Sequence, residues 1–370
     1  MTGENSPLRI GVPDELLSLS ADGGHGRVWS RVLAELSRQH QIVPLGGGRR
    51  LTPRTLRRPP DAEVVLADGH NPLPSTRAPI VAQVHEAGWW SEELRAVLNP
   101  DFLAHIALHT ERSVQAAAQV ITPSQAARRE VIDSCGVPPD RVHAVAHGVE
   151  PAFSPAAAGG RALVAAACCE RAQMPSDVPC EAPYVLHVAM LHPRKNLGLL
   201  RQAMTILAHE RLPHRLVIAG RPPVDRPDWR DLECEARAEL HGAPGRVVYL
   251  GQPSDEMVAA LMAGADAFCL PSLHEGFGLS ALEAMACGTP TIVSDRGALP
   301  EVVGDGGLVV SPTVEGVAGG LRAVLLDPEL ARQLAHRGAQ RAREFTWKRT
   351  AEGWVAVLRL AIERAYTRAR

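Results

Sequence analysis

Two carboxylates eight positions apart mark the stretch of this 370-residue chain with the clearest chemical potential, PSLHEGFGLSALEAMACGTPTIVSD at residues 271–295. An apolar run ends at Pro271, a turn carrying Gly276 and Gly278 follows, and a helical pattern begins beyond it. Glycines in such a turn let the backbone approach a ligand closely and leave helix N-terminal amides open to its oxygens. Glu275 sits in the turn. Glu283 lies four residues after Leu279 and beside Leu282 and Ala286, on the face that packs inward. Desolvating its carboxylate costs roughly several kcal/mol unless a partner compensates. Ribose hydroxyls would serve, and so would a buried arginine.

A second group, His192-Pro193-Arg194-Lys195-Asn196, follows an apolar run and opens a helical pattern. Two adjacent cations at a helix N-terminus, where the dipole also favours anions, suit a diphosphate. Lys195 is one of only two lysines in the chain, the other being Lys348. A compact point charge is thus used where arginine is otherwise the rule. The plain alternative is a solvated loop bearing two charges.

The first half offers less. Asp22-Gly23-Gly24-His25-Gly26 precedes a helical pattern, but Trp29 stands where a dinucleotide fingerprint needs its third glycine. His85 ends an apolar run, at the carboxyl edge of a strand where ligands gather, although a lone histidine is often structural. Trp89 and Trp90, in a chain with 4% aromatic residues, would form either an apolar wall for a sugar or part of the core. His105 and His109 have helical spacing but no evident third ligand, so they read as ordinary surface or core histidines. No Asp-x-Asp pair occurs, and His-Glu-x-x-His, P-loop and Gly-x-Ser-x-Gly patterns are missing, so no catalytic metal and no cofactor are expected.

These residues need a scaffold that brings loops together. Apolar runs at 8–12, 41–45, 63–67, 80–85, 120–122 and 142–146 read as strands, with helical patterns at 26–39, 102–119 and 125–135 between them. Residues 151–183 are rich in Pro, Ala and Gly and break the pattern. It resumes with strands at 184–189, 215–219, 247–250, 267–270, 291–294 and 308–310, and helices at 196–210, 229–241, 255–263 and 279–287. The spacing predicts an α/β chain of two doubly wound domains, 1–155 and 184–345, joined by a linker or mobile insertion at 156–183 and closed by a helix at 346–370. Ligands of such sheets sit at the carboxyl ends of the strands, so two facing domains imply a cleft.

Composition narrows the function. A formal charge of −2 and a pI near 6.7 give no electrostatic case for nucleic acid. No long apolar run spans a membrane and no signal-peptide layout leads the chain. Seven cysteines without a Cys-x-x-Cys pair suit reduced thiols, and with them a cytoplasmic location. The basic stretch at 49–58 reads as a solvated loop, with peripheral contact to an anionic membrane as the alternative.

The 271–295 segment resembles the Glu-x7-Glu signature of retaining family 4 (group 1) glycosyltransferases, with Glu275 and Glu283 matching its carboxylates. The resemblance extends over most of the chain and is most specific in the second half. It implies the GT-B fold of two Rossmann-like domains across a cleft, bacterial enzymes of this class, and metal-independent transfer of a sugar from a nucleotide-diphosphate donor such as a UDP- or GDP-sugar. Glu275 would then contact donor-sugar hydroxyls near the reacting carbon, and Glu283 the ribose. Arg194 and Lys195 match the family's diphosphate-binding pair. Gly23 and Gly24 match its glycine-rich loop, and the backbone of Gly276, Phe277, Gly278 and Leu279 would complete the donor site. His85 matches the family's histidine near donor sugar and acceptor. Glu86, where Asp is common, is a departure. Ser124 and His147-Gly148-Val149-Glu150 resemble further landmarks. Trp89 and Trp90 are the candidate acceptor contacts, and the acceptor itself, whether small molecule, glycan or lipid-linked, is left open. Nucleotide-sugar epimerase, phosphorylase and non-catalytic sugar-nucleotide-binding subunit are the alternatives on the same fold.

Overall fold

Continuous apolar runs become buried parallel strands here, because helices cover both faces of each sheet. The structure, a computed structural model, describes residues 6–19, 23–46, 61–157, 159–170, 182–223 and 231–368. In the first sheet, β1 (Arg9–Val12), β2 (Gln41–Pro44), β3 (Val64–Asp68), β4 (Ile80–Gln83), β5 (Gln119–Thr122) and β6 (Val142–Ala144) lie in the order β2-β1-β3-β4-β5-β6. In the second, β7 (Tyr184–Val188), β8 (Arg215–Ala219), β9 (Val247–Tyr249), β10 (Ala267–Leu270), β11 (Thr291–Ser294) and β12 (Leu308–Val310) lie in the order β12-β11-β10-β7-β8-β9. Burial follows position except at the edge strand β9, which is buried throughout. Every residue of the central strands β3 and β10 is buried, while edge strands β2 and β12 are half-exposed.

Helices α1 (Gly24–Leu36), α2 (Pro100–Ala116), α3 (Gln125–Cys135), α4 (Gly160–Glu170), α5 (Leu197–His209), α6 (Asp255–Gly264), α7 (Leu279–Ala286), α8 (Val314–Leu326), α9 (Pro328–Ala342) and α10 (Trp347–Arg368) are interspersed among and beyond these strands. Local chemistry sets several ends. Asn99 accepts from the amides of Asp101 and Phe102 ahead of α2, and Ser124 from that of Ala127 ahead of α3. Gly136, at φ +62°, stops α3 in the left-handed conformation that glycine tolerates.

The chain forms two units, and their composition differs from the expected partition. The first comprises residues 1–95, 99–148 and 345–370, and the second 96–98 and 149–344. The terminal helix α10 therefore belongs to the first unit. Trp354 meets Trp29 edge-on at 5.5 Å with both fully buried, and the Thr350 hydroxyl donates to the Ala146 carbonyl at 2.8 Å. The stretch 156–183, expected as a linker, carries α4, which packs on α6 in the second unit. Its small residues permit that approach. Gly160 lies against the Ala260 carbonyl, Arg161 pairs with Asp266 at 2.8 Å, and the Tyr184 hydroxyl donates to the Leu261 carbonyl at 2.6 Å. Residue 119 also departs from expectation. It opens β5 instead of ending a helix, because its buried amide oxygen meets His143 Nε2 at 2.8 Å. Residues 47–60, with the basic stretch, lie outside the described residues, as does Asp22.

The docking of α4 has a directional test. Alanine is intrinsically better than glycine in a helix, so Gly160→Ala in an undocked linker would be neutral or stabilising. Against the Ala260 carbonyl, the added methyl should instead cost about 1–3 kcal/mol in urea unfolding.

Candidate functional site

The second sheet has the strand order of a dinucleotide-binding fold, and its order reverses between β7 and β10. The loops that leave those two strands therefore diverge and open a space at their carboxyl ends. The loop after β7 carries Arg194 and Lys195; the loop after β10 carries Glu275. The two loops are joined through the backbone, the Leu273 amide donating to the Arg194 carbonyl at 2.7 Å. Asn196, in the left-handed region at φ +57°, donates its side-chain amide to the Pro271 carbonyl at 3.3 Å. A third loop supports them. The Ala298 amide donates to the Glu275 carbonyl at 2.8 Å, and Gly297, at φ +56°, presses on the Glu275 backbone where a Cβ would collide.

The cations and the carboxylate expected to serve different parts of a ligand are paired with each other. Arg194 Nη1 lies 2.9 Å from Glu275 Oε2, and Lys195 Nζ 2.5 Å from Oε1. The Ser272 hydroxyl donates to Oε1 at 2.7 Å, and Arg194 Nη1 also donates to the His274 carbonyl at 3.0 Å. Burial alone would push the Glu275 carboxyl up. The charges of Lys195 and Arg194, with hydrogen bonds from Lys195 and Ser272, outweigh it and bring the pKa down to about 2.

Helix α7 starts behind this turn. Gly278 takes φ +100°, where a side chain would also strike Leu299, and no side chain caps the helix. Gly276 and Phe277 are buried in the turn, and Leu279 is the first helical residue. Glu283 is buried on α7 at 4% exposure, on the inward face its spacing indicated. Beside Lys195 opens a cavity of about 220 Å³ whose lining includes His187, Leu191, His192, Asn196 and Glu235. It is smaller than the roughly 300–1,000 Å³ that encloses a drug-sized ligand. His187 is wholly buried, its Nδ1 lying 2.9 Å from the Cys269 carbonyl, and burial lowers its pKa to about 4.

The first unit gathers a separate set of polar groups at the carboxyl ends of β1, β3 and β4. His25 comes from α1, whose N-cap Gly23 has no side-chain capping bond, and Gly24 is its first residue. Asp68 ends β3. His85 follows β4, which stops two residues short of it. His85 stacks edge-on against His25 at 4.2 Å and lies near His70 and His147, at 6.1 and 6.2 Å. Burial holds its pKa well below the usual histidine value, and the neighbouring imidazoles push the same way, so it is neutral at physiological pH. Its amide donates to His70 Nε2 at 3.2 Å, its Nδ1 lies 3.1 Å from Gln83 Nε2, and its buried Nε2 has no partner among the described residues. For Asp68, burial opposes ionisation, but its contacts with His25 and His70, including the His70 amide that donates to Oδ1 at 3.0 Å, leave its pKa lowered. Asp68 closes an otherwise apolar strand at its carboxyl edge, a signal that single-residue reading passes over.

Among the described residues, His25, Asp68 and His85 are the one group of three potential metal ligands, their ligand atoms within 4.8 Å of one another. The Trp29 indole donates to His25 Nε2 at 3.1 Å, so a cation there has to displace that bond. Trp89 is buried, edge-on to His70 and Phe102 at 5.9 and 6.4 Å, and Trp90 is half-buried against the core that includes Val84, Val114 and Val131. His105 and His109 meet edge-on on α2 with centroids 4.4 Å apart. Among the described residues no helix is long and apolar enough to cross a membrane, and Cys135, Cys234, Cys269 and Cys287 are free thiols.

Residues 31–153 match the family described as Glycosyltransferase Family 4, and residues 171–341 match Glycosyl transferases group 1. The chain belongs to the family 4, group 1 glycosyltransferases. Among relatives of this family, O-antigen chain mannosyltransferase B of Escherichia coli is 36% identical over 45% of this chain and 42% of its own length. MMP alpha-(1->4)-mannosyltransferase of Mycolicibacterium hassiacum is 31% identical over 81% of this chain and 66% of its own. The chain thus spans less than two thirds of either. Sucrose-phosphate synthase from Thermosynechococcus elongatus, a solved structure, superposes with a TM-score of 0.73 at 19% identity, covering 96% of this chain and all of that one. The shared fold is GT-B.

The Glu275 pairing predicts a stability signature. A carboxyl depressed from 4.5 to about 2 adds stability that is complete above pH 4.5 and is lost as pH falls toward 2. Its size is about 3 kcal/mol. In urea unfolding at pH 7, 4.5, 3.5 and 2.5, the gap between wild type and Glu275→Gln should stay constant to pH 4.5 and narrow below it.

Proposed function

We propose that the protein is a retaining, metal-independent glycosyltransferase that moves a hexose from a nucleotide-diphosphate sugar to an acceptor hydroxyl. The observation that carries this reading is the Arg194–Lys195 pair, two adjacent cations about 12% exposed at the sheet's switch point and both paired with Glu275. A diphosphate carries more charge than Glu275 and competes for both. In the transfer, the bond from the sugar's anomeric carbon to the diphosphate oxygen breaks while a bond to the acceptor oxygen forms on the same face. The acceptor proton passes to the leaving diphosphate. Arg194 and Lys195 offset the charge that develops on that leaving group, an electrostatic role that commonly dominates catalysis.

Glu275 acts in this reading as a positioning and electrostatic group. A carboxylate with a pKa of about 2 and partners on both oxygens is a weak nucleophile. Glu283 binds ribose, and the backbone from 276 to 279 receives donor oxygens, with Gly23 and Gly24 adding amides from the start of α1. The neutral His85, with Nε2 unpartnered, hydrogen-bonds a hydroxyl of the acceptor or sugar. Trp89 and Trp90 are assigned to the acceptor side, Trp90 as the more accessible ring. Mannose is the first sugar to try, because the two relatives described above are named mannosyltransferases. A cytoplasmic setting goes with the reading, as does peripheral membrane contact for a lipid-linked acceptor.

The test is a thermal-shift panel of UDP, GDP, ADP, dTDP and their sugars, with and without EDTA. One diphosphate should raise Tm regardless of EDTA. Lys195→Ala should weaken its affinity by roughly 10- to 100-fold, the loss of a hydrogen bond to a charged group. His85→Ala should keep the donor-induced shift and lose transfer. Stabilisation by no diphosphate, or a shift abolished by EDTA, would remove the basis for this function.

A further inference from the structure

Glu275 has three side-chain partners, and they are not equivalent. Arg194 and Lys195 reach it from another loop on long side chains. Ser272 belongs to the same loop, is wholly buried, and donates to Oε1 at 2.7 Å. Its own backbone is tied down, since its carbonyl accepts from the Ser294 hydroxyl at the end of β11 at 2.5 Å. The contacts that join the three loops, Leu273 to Arg194 and Ala298 to Glu275, run through the backbone and do not depend on the ion pairs.

A diphosphate that draws Arg194 and Lys195 away leaves Glu275 Oε2 without its donor and Oε1 with the Ser272 hydroxyl alone. A buried carboxylate with no donor would take up a proton or swing toward solvent. We propose that Ser272 is a positioning residue of the transfer reaction, holding Glu275 ionised and aimed at the donor sugar while the two cations turn to the diphosphate. This inference rests on the transferase reading above. The charged or titratable groups that act on Glu275 are Lys195 and Arg194 from the loop after β7 and, more weakly, His187 on β7. His187 is neutral above about pH 4, so it does not add a second ionisation in the neutral range.

Two measurements decide it, made on the full chain with the donor that the panel identifies. In steady-state kinetics, Ser272→Ala should lower kcat about tenfold or more, the effect of losing a hydrogen bond to a charged group. The donor KM should stay within about threefold, because the loss falls on the transition state. The acid limb of the kcat–pH profile should move up by about half a unit to one unit, since the lost donor favoured the ionised carboxylate. Ser272→Thr, which keeps the hydroxyl, should return the limb to its wild-type position.

The second measurement needs no activity. In thermal unfolding, the Tm lost through Ser272→Ala should be at least about halved in a Glu275→Gln background, because contacting groups are coupled. An unmoved acid limb in Ser272→Ala, or equal Tm losses in the two backgrounds, would overturn the role of Ser272 while leaving an active wild type as a transferase. A wild type that transfers sugar from no donor would overturn the transferase reading and the catalytic role with it, even where the Tm cycle shows coupling.

Discussion

Burying a carboxylate to 5% exposure opposes its ionisation, and Glu275 overcomes this because Arg194 and Lys195 approach it from a neighbouring loop. Removing Glu275 would leave two adjacent, largely buried cations without their shared carboxylate, a loss far larger than that of a surface ion pair. The backbone reflects this demand. Gly297 and Asn196 sit in the left-handed region, and Gly278 does so at the start of α7, each where the chain must turn sharply to bring a loop against Glu275 or its partners. Three of the second unit's left-handed positions thus serve this one charged cluster.

Topology explains why this cluster can exist. In a doubly wound sheet, neighbouring strands normally send their following helices to the same face, which crowds the loops between them. Where the order reverses, the loops part. The second sheet reverses between β7 and β10, and the cluster draws on the two loops leaving those strands. The first sheet reverses between β1 and β3; His25 comes from the chain beyond β1, and Asp68 ends β3. The same geometric opportunity is filled with opposite chemistry in the two units. In the second it holds three ionised groups, and in the first a set of mostly neutral imidazoles around a single carboxylate.

Much of the fold could be read from residues alone, because buried parallel strands are continuous apolar runs, a character clearest in the central strands β3 and β10. The boundaries were less legible. Gln119 looks like the polar end of a helix until its tertiary partner His143 makes it a strand residue. Residues 160–170 look like linker because alanine and glycine serve both mobile segments and helices that pack closely, and only the partner surface on α6 separates the two. The terminal helix was evident from its periodicity, but nothing in that period says on which unit it lands. At the candidate site, the residue types and their loops were legible. The pairing of Arg194 and Lys195 with Glu275 was not, since about eighty residues separate them and strand order brings them together. Of the first-unit cluster, His85 stood out through its strand-end position, while Asp68 and His70 carried no motif.

The placement of α10 on the first unit has a consequence for how the protein is made. Nearly all of the second unit, residues 149–344, is synthesised as one uninterrupted block, with only residues 96–98 contributed from earlier in the chain. The first unit begins earlier and finishes later. Trp29 is translated near the start, yet the indole that covers it, Trp354, emerges after the whole second unit. Through that interval an apolar patch on α1 remains uncovered on the ribosome, as contacts so distant in sequence form late. The first unit to begin is the last to be completed.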